Sequence, residues 1–186
     1  MGWRLLMIFR HAATEDLDRI EEIYERIHDY EEQGKLSIGW ARGIYPVRQT
    51  AADAIARNDI FVLEDNGVIA ASAIINHIQP DSYLEGKWEF MVPDEEIMVL
   101  HTLTVDPLLA RNGYGTAFEK FYEDYALENR CPYLRIDTQE INLAARALYR
   151  KLGYKEKNTV PCVFNGIEGV QLVLLEKRAE PSGNAN

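Results

Sequence analysis

Hydrophobic residues recur at helical spacing in the first third of the chain. Thr14 stands before this run as a helix cap with acidic residues behind it, and Gly34 follows the run. The spacing of three and four positions predicts one buried helix face. The residues of that face are Leu17, Ile20, Ile23, Tyr24 and Ile27. A second, shorter helix is expected to begin at Thr50.

Apolar and β-branched runs predict the strands. Residues 1–9 give a first strand, because this apolar run is short for a signal peptide and Arg10 interrupts it. Residues 60–64 and 68–75 flank an Asn-Gly pair, which is the signature of a β-hairpin. Further strands are predicted at residues 99–105, 133–138 and 169–176. Helices alternate with these strands, so the pattern indicates an α/β domain with a mixed sheet.

The loop after residues 99–105 carries the first functional motif. Its end, Asn112-Gly113-Tyr114-Gly115-Thr116, opens an amphipathic helix. The N–H groups of a first helical turn are unpaired, and the helix dipole adds about half a positive charge there, so this arrangement is typical of phosphate binding. The absence of a following Lys-Ser/Thr and of a third glycine excludes the P-loop and the dinucleotide fingerprint. Alone, the motif also describes a tight helix start.

A second motif begins at Asn142, beyond the strand at residues 133–138. Asn142 is a helix N-cap, and Gly153 ends the helix. Together the two motifs resemble those of the GNAT acetyltransferases, which read Gln/Arg-x-x-Gly-x-Gly/Ala and Asn-x-x-Ala-x-x-Leu-Tyr-x-x-x-Gly-Phe/Tyr. The matching positions are Gly113, Gly115, Asn142, Ala145, Leu148, Tyr149, Gly153 and Tyr154. Ala110 departs from the pattern, with Arg111 beside it, which puts one side-chain phosphate contact in doubt. Over most of the chain the resemblance is to an uncharacterised bacterial subgroup.

The resemblance implies an α/β GNAT fold: a mixed, mostly antiparallel central sheet, splayed between strands four and five near Leu103 and Ile136 and flanked by helices. It also implies acetyl-CoA as cofactor. The strand would pair with the pantetheine amides, the loop would wrap the pyrophosphate, and an N–H near Leu103 would polarise the thioester carbonyl. The implied cofactor residues are Leu103, Thr104, Val105, Arg111, Asn112, Gly113, Tyr114, Gly115, Thr116, Asn142 and Tyr149.

Acetyl transfer to an amine also needs an acid and a base. Tyr149 is the candidate general acid, because a phenol of pKa about 10 is protonated at neutral pH. His101 is the candidate base, since it precedes Leu103 by two residues on the same strand face and imidazole titrates near neutral pH. A hydrogen-bonded core histidine is the alternative interpretation. The fallback bases are Glu85, Glu89 and Glu96.

Aromatic residues mark the candidate acceptor site. Trp40 and Tyr45 stand in the connector after the first helix, and Tyr83 and Trp88 stand in an irregular segment at residues 77–95. We interpret these four as walls of the acceptor pocket, with a hydrophobic seal over the core as the alternative.

Composition narrows the partners. The net charge of −10 argues against nucleic acid, whose phosphates demand a basic face. No apolar run approaches the roughly 20 residues of a membrane span, so no membrane contact and a cytoplasmic location are expected. Cys131 and Cys162 lack metal-type spacing, so no metal site is predicted.

The 186 residues are expected to form one domain over residues 1–178 with a disordered tail at 179–186. A homodimer stays open.

Three functions are compatible with these motifs. The favoured one is an N-acetyltransferase that moves acetyl from acetyl-CoA to an amine of a small molecule or peptide, by direct attack in a ternary complex. The second is a non-catalytic acyl-CoA-binding sensor or structural module of the same fold. The third, an unrelated nucleotide-binding protein, has no need for the helix that carries Asn142 and Tyr149.

Overall fold

The fold is built on a seven-stranded sheet with the strand order β1-β2-β3-β4-β5-β7-β6. The computed structural model describes residues 7–181. The strands are β1 (Met7–His11), β2 (Ile60–Asp65), β3 (Val68–Asn76), β4 (Ile97–Val105), β5 (Tyr133–Gln139), β6 (Lys155–Phe164) and β7 (Ile167–Arg178). The helices are α1 (Leu17–Glu32), α2 (Arg48–Arg57), α3 (Tyr114–Glu128) and α4 (Leu143–Lys151). Short 3-10 turns lie at Thr14–Asp16, Asp81–Glu85, Asp94–Glu96 and Pro107–Leu109.

The sheet is mixed, as the sequence predicts. Of its strand pairs, β4 and β5 are parallel and the others are antiparallel. The β4–β5 pairing runs from Ile97↔Tyr133 to Leu100↔Ile136 and ends there, although both strands continue. The expected splay is therefore confirmed, and on β4 it begins after Leu100 rather than near Leu103.

Helices cover both faces of the sheet. Successive side chains of a strand point to opposite faces, and β2 divides its residues accordingly. Phe61 and Leu63 join a cluster with α3, whereas Ile60 and Val62 join a cluster with α1 and α2. Both clusters consist of almost fully buried apolar side chains, so the sheet is the middle layer of the domain.

The helix and hairpin predictions hold with shifted ends. The Asn66-Gly67 turn has φ values of 51° and 80°, as its type requires. The first helix begins at Leu17 after a 3-10 turn, and the side chain that accepts the Ala13 N–H there belongs to Asp16, not Thr14. The second helix begins at Arg48, before Thr50, whose Oγ1 accepts a hydrogen bond from the Val47 N–H at 3.1 Å.

The ends of the chain differ partly from the sequence predictions. The first strand begins by Met7, and residues 1–6 lie outside the described residues. Ala179, assigned to the disordered tail, is buried, and its N–H donates to the carbonyl of Pro132 at 2.8 Å. Residues 182–186 lie outside the described residues. Within residues 7–181, no helix is both long and apolar enough to cross a bilayer.

A buried carboxylate holds the end of β4 against α1. Asp106 is fully buried, and its Oδ2 atom forms ion pairs with the guanidinium groups of Arg19 at 2.5 Å and Arg26 at 2.6 Å. The Leu108 N–H donates to Oδ1 at 3.0 Å. Burial alone would raise the pKa of Asp106, but this hydrogen bond and the two guanidinium groups lower the pKa on balance. Asp106 thereby fixes the start of the loop that leads to α3.

We expect Asp106→Asn to lower the free energy of unfolding by about 2 kcal/mol at pH 7, because the charge-assisted hydrogen bonds are lost. The folded-state pKa of Asp106 is depressed, so its contribution is present above the unfolded-state pKa and lost as the pH falls through the folded-state pKa. The difference in the free energy of unfolding between variant and wild type, measured by urea unfolding, should therefore become smaller from pH 7 to pH 3. The exposed Asp124→Asn is the control. An equal difference at both pH values would contradict the ion-pair explanation.

Candidate active site

A β-bulge shapes β4 where it separates from β5. Ser72 pairs with Thr104 and Ile74 pairs with His101, so two residues of β4 face a single residue of β3. One of the two, Thr102, has a φ of 51°, which is costly for a β-branched residue by about 1–2 kcal/mol. A hydrogen bond between the hydroxyls of Thr102 and Tyr45 secures this conformation. Beyond Leu100, the edge of β4 on the β5 side faces the gap, while its other edge still pairs with β3.

The start of α3 leaves three backbone donors without a helical partner or a side-chain cap. Gly113 is the N-cap with a φ of 78°, and no side chain caps this helix. The first helical hydrogen bond runs from the Ala117 N–H to the Gly113 carbonyl at 2.9 Å, which leaves the N–H groups of residues 114–116 without a helical partner. Tyr114 is buried, and its hydroxyl donates to Asp65 at 2.7 Å. This anchor holds the helix start in place.

The loop before α3 contains a residue with positive φ and a hydrogen bond between a side chain and the backbone. Arg111 has a φ of 70°, and Nδ2 of Asn112 donates to the Leu109 carbonyl at 3.0 Å. Ala110, Arg111, Asn112 and Thr116 are exposed. A Cβ on Gly115 would lie 3.5 Å from Leu148 of α4, so the two helices approach closely at this glycine. The phosphate motif and the Asn142 helix are therefore neighbours in space.

A cavity of about 360 Å³ opens in the gap between β4 and β5. Its walls come from the connector before α2, the separated ends of β4 and β5, α4, and the β6–β7 hairpin. The lining residues include Trp40, Tyr45, Leu100, His101, Thr102, Leu103, Asp137, Thr138, Gln139, Asn142, Tyr149 and Phe164. The cavity volume suits a small ligand or one end of a longer one.

The connector over the cavity is clamped to the end of β5. Nε2 of Gln139 donates to the Gly39 carbonyl at 2.7 Å. A Cβ on Gly39 would lie 2.1 Å from Oε1 of Gln139, and the φ of Gly39 is 89°, so this close approach requires glycine. The carboxylate of Glu31 accepts the N–H groups of Ile38 and Gly39, both at 2.8 Å. These contacts place Trp40 and Tyr45 at the cavity.

The predicted aromatic walls divide into two groups. Trp40 and Tyr45 line the cavity with their ring centroids 6.0 Å apart. Tyr83 and Trp88 are not among its lining residues. Tyr83 is buried and does not reach the cavity surface. Trp88 packs between the Tyr83 ring and the guanidinium group of Arg135, and that guanidinium lies 4.0 Å from the centroid of the Trp88 ring.

The predicted acid and base both reach the cavity. Tyr149 is buried, which raises the pKa of its phenol, so the hydroxyl stays protonated. Nε2 of His101 lies 3.0 Å from Oδ1 of Asn76. Burial lowers the pKa of His101 to about 4, against a hydrogen bond to the Ile78 backbone. His101 is therefore neutral at pH 7 and has a low proton affinity.

The fallback carboxylates do not line the cavity. Glu89 forms ion pairs with Lys155 at 3.4 Å and Lys157 at 3.1 Å. Glu85 lines a separate surface depression, and Glu96 ends the short turn before β4. The structure therefore does not bring these three to the site.

The cavity contains a carboxylate that sequence reasoning missed. Asp137 lies on β5 one residue beyond the last β4 pair, and the Tyr83 hydroxyl donates to its Oδ2 at 2.9 Å. Burial raises the pKa of Asp137 to about 7, and the hydrogen bond from Tyr83 opposes the rise. The available signal was an acidic residue inside an apolar strand, at the point where the splay was expected.

The structure places Asn142 and part of the predicted cofactor strand at the cavity. Asn142 caps α4 by accepting the Ala145 N–H at 3.1 Å, and it also lines the cavity. Leu103 lines the cavity as well, whereas the hydroxyl of Thr104 is buried against Ser72 at 2.8 Å. Only the backbone of Thr104 can therefore serve a ligand in the gap.

Comparison with known proteins defines the class. The model of the acetyltransferase (GNAT) family matches residues 17–154. The chain therefore belongs to the GNAT acetyltransferase family, whose activity is acetyl transfer and whose co-substrate is acetyl-CoA. A search of curated proteins found no significant relative of the chain.

Solved structures share the fold at low sequence identity. A GNAT-family acetyltransferase from Streptococcus agalactiae is 24% identical with a TM-score of 0.77, over 94% of this chain and 96% of that one. A ribosomal-protein-alanine N-acetyltransferase from Brucella melitensis is 18% identical with a TM-score of 0.67, over 92% and 99%. The yncA protein of Salmonella typhimurium, solved with its cofactor acetyl-CoA, is 18% identical with a TM-score of 0.65, over 97% and 98%.

We expect Asn142→Ala to lower the free energy of unfolding by about 1 kcal/mol, because the cap on the Ala145 N–H is lost. Asn142→Asp keeps an acceptor at the same place and is the matched control, with a change of a few tenths of a kcal/mol expected. Urea unfolding at pH 7 measures both. Equal losses in the two variants would contradict the capping role.

Proposed function

We propose that this protein transfers the acetyl group of acetyl-CoA to the amine of a small molecule or peptide, by direct attack in a ternary complex. The observation that carries the proposal is the open edge of β4 beyond Leu100, which leads directly to the uncapped start of α3. A strand edge and a helix start supply backbone donors for an extended ligand with phosphates at one end.

The residues fit acetyl-CoA. The edge at residues 103–105 would pair with the pantetheine amides, and the loop at residues 111–116 would hold the pyrophosphate through its N–H groups and the helix dipole. The positive φ of Gly113 supports this loop shape without a Cβ near the phosphates. Asn142 lies where its amide could meet the pantetheine arm at the cavity. Ala110 contributes no polar side chain, so the grip is mainly a backbone one.

Catalysis follows from the groups around the cavity. When bound, acetyl-CoA supplies a thioester carbonyl, and the reaction forms an amide C–N bond as the C–S bond breaks. The Tyr149 hydroxyl is protonated and has no hydrogen-bond partner among residues 7–181, which leaves it available to donate to the departing sulfur. A backbone N–H at the bulge of Thr102 and Leu103 would stabilise charge on the carbonyl oxygen.

The acceptor class is supported by the shape and charge of the protein. Trp40 and Tyr45 give the cavity an aromatic side, and the net charge of −10 favours the approach of a cationic amine. The peptide acceptor named for the Brucella melitensis relative keeps peptide N-termini among the acceptors to be tested.

The proposal is tested by calorimetric titration with acetyl-CoA and by thiol release with a panel of small amines and short peptides. Micromolar binding of acetyl-CoA and amine-dependent release of free thiol are the expected results. Binding without thiol release from any amine would favour an acyl-CoA sensor. Failure to bind acetyl-CoA would overturn the proposal.

We expect Tyr149→Phe to lower kcat by about 100-fold, because the proton donor to the leaving sulfur is lost. The Kd for acetyl-CoA should stay within about twofold, since the ring packing against Tyr154 is kept. Tyr30→Phe on α1 removes a hydroxyl away from the cavity and serves as the control. An unchanged kcat in Tyr149→Phe would rule out Tyr149 as the acid.

A further inference from the structure

The cavity carries one carboxylate whose second oxygen is uncommitted. Tyr83 occupies Oδ2 of Asp137, and in the described part of the chain Oδ1 accepts no hydrogen bond and forms no ion pair. Asp137 lines the cavity together with Tyr149, Trp40 and Tyr45. A carboxylate oxygen that faces a cavity beside the rings of Trp40 and Tyr45 is a binding group for a cation.

We propose that Asp137 binds the ammonium group of the acceptor through Oδ1 and then takes up its proton, and that the acceptor is a primary amine carried on a small apolar or aromatic group. This inference rests on the proposed function, since it names the acceptor class and the base of that reaction. Tyr83 positions Asp137, because its hydroxyl donates a hydrogen bond to Oδ2 of that carboxylate.

The proton balance is complete with the residues of the cavity. One N–H bond of the ammonium breaks and an O–H bond forms at Oδ1 of Asp137, which leaves a neutral amine with a free lone pair. Tyr149 gives its proton to the departing sulfur, and a second proton from the nitrogen restores its hydroxyl. The proton on Asp137 then passes to solvent, so one proton is released for each amide formed.

Asp137 is better suited to this step than His101. The pKa of Asp137 is about 7 and that of His101 is about 4, which makes the proton affinity of His101 roughly a thousand-fold lower. His101 also engages Asn76 through Nε2. A base works best when its pKa lies near the operating pH, and Asp137 meets that condition.

The groups that face Asp137 leave its titration distinct between pH 5 and pH 9. Burial raises the pKa of Tyr45 to about 12, and it also raises the pKa values of Tyr83, Tyr149 and Cys162. Burial lowers the pKa of His101 to about 4. The nearby charged groups are Arg135, which contacts Gln79 and Phe90, Arg57 beside Asp59, and exposed Glu85. Among these facing groups, a transition near pH 7 would therefore belong to Asp137. Burial also raises the pKa of Glu119 on α3 to about 8, but Glu119 accepts the Tyr154 hydroxyl and does not line the cavity, so its titration should persist in Asp137→Asn.

The first test needs no turnover and uses the wild-type protein. Carboxyl ¹³C NMR follows the titration of Asp137, assigned by the signal missing from Asp137→Asn, with butylamine and 2-phenylethylamine as probes and 2-phenylethanol as the neutral control. A midpoint near pH 7 that moves lower with either amine and not with the alcohol is expected, since a bound cation favours the carboxylate. A midpoint that neither amine moves would overturn the proposal.

The second test compares Asp137→Asn with the exposed control Asp124→Asn. The asparagine still accepts the Tyr83 hydroxyl and removes a charge that desolvation disfavours, so urea unfolding at pH 8 should show no loss of stability. We expect at least a tenfold weaker Kd for 2-phenylethylamine and a fall of about 100-fold or more in kcat/KM. The control should match wild type.

The pH profile separates this proposal from its alternatives. In wild type, kcat/KM should rise with pH to a plateau above about pH 7, and this limb should be absent in Asp137→Asn. A tenfold rise per pH unit up to pH 10 would mean that neutral amine is bound, which contradicts the proposal. A wild-type profile in Asp137→Asn would also contradict it. Lack of acetyl-CoA binding would reject the proposed function alone, because the NMR test stands without that ligand.

Discussion

The structure depends on a break in backbone pairing between β4 and β5. Parallel strands at the centre of a sheet normally satisfy each other's N–H and C=O groups along their whole length, because unpaired buried backbone is costly. Here the pairing ends at Leu100↔Ile136, and the two strands diverge around a cavity. Beyond the break, β4 continues to pair with β3 and β5 continues to pair with β7, both antiparallel.

Contacts around the break hold the separated ends of β4 and β5 in place. The ion pairs of Asp106 with Arg19 and Arg26 hold the end of β4, and the bond from Tyr45 holds the bulge at Thr102. The clamp between Gln139 and Gly39 closes the cavity from the side of the connector. Strain at Thr102 is the type of feature that clusters at active sites and persists because its surroundings fix it.

The charges of the site are arranged in two zones. Phosphates would meet mainly backbone donors and the dipole of α3, with Arg111 in the same loop, in a protein of net charge −10. The cavity instead holds Asp137, which accepts a hydrogen bond from Tyr83, on the same lining as Trp40 and Tyr45. In the proposed function the polyanion would therefore lie at the start of α3, outside the cavity, and the cation would lie inside it at Asp137.

Local signals predicted much of this arrangement from the sequence. Gly113, Asn142 and the Asn66-Gly67 turn were predictable because each is fixed by its own backbone conformation or cap. Asp137 and the division between Tyr45 and Tyr83 were not, because they depend on which side chains a splayed strand and an irregular segment bring together. The low proton affinity of His101 is likewise a result of burial, which no local pattern reports.

The most direct test of the central claim is amide hydrogen exchange with and without acetyl-CoA. If the open edge of β4 and the start of α3 hold this ligand, exchange should slow at residues 103–105 and 111–116, while the edge strand β1 stays unchanged. Protection confined to other parts of the sheet, with these two segments unaffected, would contradict the account.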